Sequence, residues 1–433
     1  MKAIFRNRGV VFSVLLALLA GSVPANAADK TADKTYEQLK VLVDVLTYIQ
    51  DNYVDEPDAQ KLIAGAASGM VRTLDPFSQY LDQDAMREIK TETEGEFGGV
   101  GIRVSVKDDW LTVLTPIPGT PAYIAGVLPN DRIAQVDGES AKDMEVTDVL
   151  SRLRGAPGTK VKLTIMREPD EGDENAPWIA RDFILAREII KIDSVEHWKM
   201  EDSVGYLRIN EFSARTTEEA LGALKDLQKQ GATALVLDLR NNPGGLLSAA
   251  VDVASFFIGD NKLIVYTKGR KEENRQDFRS SQTAPFAKFP MVVLVNEGSA
   301  SGSEIVAGAL QDHRRALIMG LRTYGKASVQ SVIPLSETAG LRLTVARYYT
   351  PLGRSLARDE KTHAGGITPD IEVPISRETE AKLYAQWDMI YAKNKKPRSA
   401  VKKEDMVPDE TMERAMELLK AREALGNLAP RGG

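Results

Sequence analysis

Residues 296–330 read NEGSASGSEIVAGALQDHRRALIMGLRTYGKASVQ. A buried-strand pattern, FPMVVLVN (289–296), leads into a polar turn holding Ser299, Ser301 and Ser303. An apolar-faced helix follows, then the strand RALIMG (315–320) and a second polar loop ending in Lys326 and Gln330. About twelve helical residues after Ser301 climb ~18 Å at 1.5 Å per residue. The strand 315–320 returns ~20 Å at 3.3 Å per residue. Both polar loops therefore open on one edge of a sheet, with Lys326 beside Ser301.

The flanking sequence repeats the pattern. VGYLRIN (204–210) and ATALVLDLR (232–240) read as buried strands, and TTEEALGALKDLQKQG (216–231) and SAAVDVASFFIG (248–259) as helices. KLIVYTKG (262–269) is a further strand. Such alternation predicts a parallel or mixed sheet covered by helices. Ligands collect outside the carboxyl ends of strands in open sheets of this class. Three loops occupy that edge: NNPGG (241–245), EGSASGS (297–303) and LRTYGKASVQ (321–330).

Upstream the period changes. GGVGIRVSV (98–106) begins glycine-rich and then alternates in the manner of a half-buried strand. WLTVLTPI, PGTPAYIAGVLPNDRIAQVDGES, VTDVLSRLRG and TKVKLTIMRE complete a small strand-rich module, which resembles a PDZ domain. Gly98, Gly99 and Gly101, around Val100 and Ile102, are expected to turn backbone N–H groups into an anion nest. A peptide paired beside Ile102–Val106 would place its terminal carboxylate there. The acidic stretch EPDEGDENAPW (168–178) reads as a linker. Near the N-terminus, Leu39, Leu42, Val43, Leu46 and Ile49 recur at helical spacing, a segment expected to pack on a partner surface. The predicted domains are a signal peptide (1–27), an N-terminal helical region (28–94), the PDZ-like module (95–170), an α/β core (171–375) and a C-terminal helical region (376–433).

Residues 1–27 combine Lys2, Arg6 and Arg8 with an apolar run and the small-residue site Ala25–Ala27. That order is a secretory leader, too short for a membrane span, and it predicts a periplasmic protein. Its removal deletes three positive charges and takes the net charge from −6 to −9. Without a basic stripe, nucleic acid is excluded as a partner. With no cysteines there are neither disulfides nor thiolate zinc sites, and three scattered histidines argue against a metal. No cofactor is expected.

If Ser301 is a nucleophile, it needs a base. His313 lies about three turns farther along the same helix, ~18 Å away, and His197 and His363 fall outside these loops. Lys326 is the candidate that remains, and Ser–Lys pairs are an attested variant of the catalytic triad. Its pKa must fall from ~10.4 toward 7–8, so holding it neutral costs about 4 kcal/mol. Burial and the positive end of the helix after Ser301 both act in that direction. The bland alternative is Ser301 as an N-cap only.

These residues, with LDPFSQYLD, the PDZ-like module, LVLDLRNNPGG, RYYTPLGRS and GITPDIEV, resemble the carboxyl-terminal processing peptidases over nearly the whole mature chain. The resemblance implies a crotonase-like, ClpP-like α/β core with an inserted module. It implies Ser301 as nucleophile, Lys326 as base and Gln330 orienting the lysine. It implies oxyanion donors at Gly244 or Gly245 and at Gly302, and Arg154 reporting module occupancy. Gly302 and Ala327 stand where the family more often has alanine and glycine. As a regular strand, 326–330 would separate Lys326 and Gln330 by ~13 Å, so contact between them requires a bend. Expected partners are protein or peptide substrates with nonpolar C-termini, an activating adaptor and further copies of the chain. The rival readings are a crotonase-like acyl-CoA enzyme, opposed by the leader and the peptide-binding module, and a non-catalytic scaffold, opposed by the Ser301–Lys326–Gln330 set.

Overall fold

The computed structural model describes residues 28–428 apart from 108, 118, 145, 169–176, 200, 360–363, 377, 381, 384–385 and 387–406. The expected leader, His363 and the basic run 393–403 lie outside the described residues. The chain divides into two units, Met1–Met70 and Val71–Gly433. In the first, α1 (Ala28–Asn52) is followed by the start of α2 (Ala59–Arg72). The predicted helical period is realised in α1, but its Leu39, Leu42 and Val43 stand exposed.

The second unit begins with β1 (Gln79–Leu81), α3 (Gln83–Glu94) and β2 (Glu96–Gly99). The module comprises β3 (Ile102–Lys107), β4 (Trp110–Pro116), α4 (Pro121–Ile124), β5 (Arg132–Val136), β6 (Glu139–Ser140), α5 (Val146–Leu153), β7 (Lys160–Arg167) and β8 (Ile179–Ala186). Its strands run β3-β4-β5-β7-β8, with β6 paired to β5. Val113, Ile133, Leu163 and Ile165 fill its core, with Val149 and Leu153 of α5. β7 and β8 pair antiparallel from Lys160 opposite Ala186 to Arg167 opposite Ile179. β7 and β8 thus belong to one sheet, and the module continues past the sequence-based limit at 170. Alternating polar residues in β8 mask its membership of the module. β9 (Glu188–Lys191) then pairs with β2, forming a two-stranded ribbon.

The core continues with β10 (Val195–Lys199), β11 (Val204–Ile209), α6 (Thr216–Lys229), β12 (Ala234–Asp238), α7 (Leu247–Ser255), β13 (Leu263–Gly269), β14 (Gln276–Arg279), β15 (Met291–Val295), α8 (Gly302–Asp312), β16 (Leu317–Gly320), β17 (Ser328–Pro334), β18 (Gly340–Tyr349), β19 (Ile371–Glu372) and α9 (Glu410–Leu428). The central sheet has the order β10-β11-β12-β15-β16-β19. Only its β10–β11 pair is antiparallel among the described pairings. β11, β12 and β15 are buried along their whole length, which explains their continuous apolar runs. Leu235 and Leu237 face α6, α7 and α8, whereas Val236 and Leu294 face Met412, Ala415 and Met416 of α9. A second sheet, β1-β18-β13-β14 with β17 on β18, carries the segment after Lys326.

A buried ion network fastens α9 to the sheet. Asp238, fully buried at the end of β12, accepts from Tyr206 Oη at 2.7 Å and from Arg240 Nη2 at 2.6 Å. Arg240 also reaches both oxygens of Asp409 at 2.9 Å, while Asp409 caps α9 through Met412 N–H. Burial pushes the Asp238 carboxyl up, but Arg240 and its other donors outweigh that and hold it below the ordinary range. Stability from this depressed pKa is present above the unfolded value and is lost as pH falls through the folded one. Arg240→Leu leaves Asp238 charged and buried, which is expected to cost about 3–5 kcal/mol. Urea unfolding at pH 7 measures this loss, and an unchanged midpoint would show that the network does not hold α9.

Candidate active site

The loops expected to meet at the carboxyl edge do meet. Ser301 sits at the mouth of α8 with φ 51° and ψ −110°, a strained backbone for a residue with a side chain. Its N–H donates to Glu304 Oε2 at 2.9 Å. The same oxygen accepts the Lys326 N–H, also at 2.9 Å, so the two backbone nitrogens are close neighbours. Glu304 Oε1 accepts the Gly325 N–H at 2.7 Å and the Thr323 hydroxyl at 2.5 Å. A second tie runs from Tyr324 N–H to Ser299 C=O at 3.0 Å. One buried carboxylate therefore clamps the 321–327 loop to the start of α8. Burial raises the Glu304 pKa, and its four hydrogen bonds oppose that rise without cancelling it.

The glycine loop closes the other side. Gly244 lies against Ser301, since a Cβ there would come within 2.6 Å of the Ser301 Cβ. At Gly245 a Cβ would stand 2.1 Å from the Phe212 carbonyl oxygen, so no side chain fits. The Gly244 N–H donates to Asn242 Oδ1 at 2.8 Å. The N–H groups of Gly245 and Gly302 have no acceptor among the described residues. Of these two unpaired donors, Gly302 follows Ser301 in the chain and Gly245 follows the glycine that packs against it.

Lys326 and Gln330 both meet Phe77, in the DPFS turn ahead of β1. The Lys326 ammonium stands 5.4 Å from the centre of the Phe77 ring. Gln330 Nε2 donates to the Phe77 carbonyl, and its Oε1 accepts from Arg342 Nε at 2.8 Å. The expected bend exists as a register shift between Val329 and Gln330. Even so, the Gln330 amide is bonded to Phe77 and Arg342 and not to Lys326. The DPFS turn is itself anchored. Asp75 accepts the Phe77 and Ser78 N–H groups and the Ser78 hydroxyl, each at 2.8 Å, and Ser78 Oγ accepts the Thr344 N–H at 3.1 Å. Tyr348, buried on β18, presents its phenol to the Ser301 hydroxyl; burial raises its pKa and the bond to Ser301 works against that.

In the module, Gly98 and Gly99 are extended residues of β2, opposite Ile189 and Glu188. The expected three-glycine nest is therefore narrower, and of the three only Gly101 has positive φ, at 79°. Gly98 is small because the Gly155 carbonyl oxygen would stand 2.1 Å from its Cβ. The Val100 and Gly101 N–H groups have no acceptor among the described residues. β3, which begins at Ile102, pairs on one side only among the described residues, with β4. Arg154 lies 5.1 Å over the Phe97 ring of β2.

Glu304, Phe77, Asn242 and Tyr348 were not singled out from the sequence. Glu304 carried a signal, because Ser-x-x-Glu before an apolar run is a capping box. The Gln330 partner of Phe77 lies 253 residues away, and Tyr348 meets Ser301 from a different sheet, so no local pattern announces either.

Glu304→Gln replaces two anionic acceptors by one amide oxygen and turns an NH₂ toward backbone donors. A ~1 Å displacement at a reacting centre costs on the order of 10²-fold, so kcat should fall by about that factor with KM little changed. The raised pKa also means that Glu304 takes its proton earlier than an ordinary glutamate as pH falls. The acid side of the kcat profile should therefore lose a protonation step in the glutamine variant. Peptide-cleavage kinetics between pH 4 and 9 measure both effects.

Known proteins resemble this chain throughout. Peptidase family S41 matches residues 203–373, a PDZ domain 112–167, and the "Activating protease CtpB N-terminal domain" 19–85. The carboxy-terminal-processing protease of Bartonella bacilliformis is 41% identical over 376 residues, covering 86% of this chain and 82% of the relative. The carboxyl-terminal-processing protease of Picosynechococcus is 39% identical over 323 residues, 73% of this chain and 74% of the relative. The processing protease CtpA of Bacillus subtilis is 33% identical over 372 residues, 84% of this chain and 75% of the relative. With a strained serine, a clamped lysine and unpaired glycine N–H groups at one sheet edge, the chain belongs to the carboxyl-terminal processing serine proteases of peptidase family S41 and carries their PDZ domain.

Proposed function

We propose that Ser301 is the nucleophile and Lys326 its base, and that the N–H groups of Gly245 and Gly302 bind the oxyanion. The Glu304 clamp supports this reading most directly, because it ties the Ser301 and Lys326 backbones to one oxygen. Neutral Lys326 takes the Ser301 proton, Ser301 attacks the scissile carbonyl, and the two N–H groups meet the developing negative charge. The resulting ammonium protonates the leaving amine, and water then releases the acyl group. Gly244 is set aside as a donor because Asn242 holds its N–H. Gln330 acts at one remove, steadying the Phe77 turn beneath the lysine. Tyr348 steadies the Ser301 hydroxyl.

Substrates are captured by their ends. The open edge of β3 and the free N–H groups of Val100 and Gly101 suit the end of an extended chain, and a nonpolar C-terminus is the proposed preference. Arg154, between this module and the β2–β9 ribbon, relays occupancy toward the core. The leader sends the mature protein to the periplasm; no described helix is long and apolar enough to cross a membrane. The exposed stripe of α1 supports assembly with further copies or with an adaptor. We retain the sequence-based domain limits, with the module extended through Ala186.

Ser301→Ala should abolish cleavage without unfolding the protein, and Lys326→Arg should be equally inactive because guanidinium does not give up its proton in a protein. For the wild type, kcat/KM should rise with pH through an apparent pKa well below that of free lysine. Active Lys326→Arg protein, or a flat profile from pH 6 to 9, would remove Lys326 from the role of base.

A peptide made with a free and with an amidated C-terminus tests end recognition on Ser301→Ala protein. Charge-assisted bonds to a carboxylate contribute ~1.5–3 kcal/mol, so the amide should bind about 10- to 150-fold more weakly. Equal binding of the two forms would reduce the 98–102 segment to an ordinary turn.

A further inference from the structure

At the edge of the central sheet opposite Ser301, where β15 and β16 begin, α8 ends and α9 passes, there is a cavity of about 610 Å³. Lys288, Arg314, Arg315 and Arg422 line it, against the single carboxylate of Asp370. That carboxylate is committed elsewhere, since Oδ1 accepts from Gln311 Nε2 at 3.0 Å and Oδ2 from the Ile318 N–H at 2.8 Å. Arg315 is built in without any acid. Its Nε donates to the Phe257 carbonyl at 3.1 Å, and its Nη2 to those of Phe286 and Phe289 at 2.9 and 2.7 Å. Its Nη1 has no acceptor among the described residues. Burial, with the like charge of Arg422 added, holds the Arg315 pKa below its ordinary value. Lys288, Arg314 and Arg422 have no acidic partner among the described residues.

The four like charges repel one another, and an anion placed among them would relieve that repulsion. The cavity falls in the range of ligand pockets and far exceeds one inorganic oxyanion. Its cations come from three separate segments, and Phe289, Leu317 and Leu418 stand among them. Several carboxylates on an apolar frame match that arrangement. The chain's own run KNKKPRSAVKK (393–403) has the wrong sign.

We infer that this cavity is a docking site for an acidic, amphipathic segment of a partner protein, distinct from the catalytic edge and from the PDZ domain. The inference does not depend on the assignment of Ser301 and Lys326.

The probe is a 12-residue fluorescein-labelled peptide of alternating glutamate and leucine pairs, acetylated and amidated so that the PDZ domain has no terminus to hold. Full-chain Ser301→Ala protein is titrated by fluorescence anisotropy. Expected results are saturable binding that weakens as NaCl rises from 50 to 300 mM and a loss of at least tenfold with Arg314→Gln/Arg422→Gln. A peptide with glutamine for glutamate should lose as much. Arg314 and Arg422 are exposed, so the double variant should keep the parent's thermal midpoint and far-ultraviolet spectrum. The inference is overturned by equal binding of the glutamine peptide, or by undiminished binding to the folded double variant. It is also overturned if the protein binds anionic phospholipid vesicles but not the peptide. A change in sedimentation coefficient of the double variant without peptide would assign the face to a second copy of the chain instead.

Discussion

The carboxylate of Glu304 organises the catalytic edge. It is buried, it carries no cationic partner among the described residues, and it accepts four hydrogen bonds from Ser301, Thr323, Gly325 and Lys326. A buried charge held by N–H and O–H dipoles is stable only if those dipoles stay fixed, so the ion and the loops enforce each other's positions. This accounts for how a strained Ser301 persists. The same arrangement connects a helix start to a loop that comes after the next strand, which a hydrogen bond between neighbours could not do.

Much of the architecture was legible because burial writes itself into periodicity. The runs GYLRI, ALVLD and MVVLV are apolar on both faces since helices cover both sides of the sheet, and their order located Ser301, Lys326 and the NNPGG turn on one edge. Legibility ended where residues act over distance. Phe77 is tied to Gln330 and Lys326 through backbone and ring geometry that composition does not encode. Gly98 and Gly99 were read as nest residues because glycine signals permissiveness without stating its cause. At Gly98 the cause is the Gly155 carbonyl oxygen, against which no Cβ fits. β8 was misplaced for a related reason, since IARDFILA is half polar and follows an acidic stretch.

The PDZ domain and the core are joined by short, specific contacts. Gly155 N–H reaches the Gly98 carbonyl at 3.0 Å, Arg154 covers Phe97, and Ala214 N–H meets the Thr93 carbonyl at 2.8 Å beside the entry of the ribbon. The C-terminal end of α5 therefore touches β2 directly, and β2 continues through Gly95 to the loop around Ser213. The PDZ domain and the ribbon therefore share these few atoms.

The pairing of β1 with β18 has a consequence for the life of the chain. Residues 75–81 are among the first made, while Thr344 and Tyr348, which hold that turn and face Ser301, come some 266 positions later. Long-range closure of this kind is slow to form. A nascent chain already contains the 75–81 turn and Ser301, whereas Lys326 and the strand β18 that anchors the turn both belong to the final quarter of the polypeptide. The order of synthesis itself thus leaves this edge of the sheet to be completed late, after most of the chain has been made.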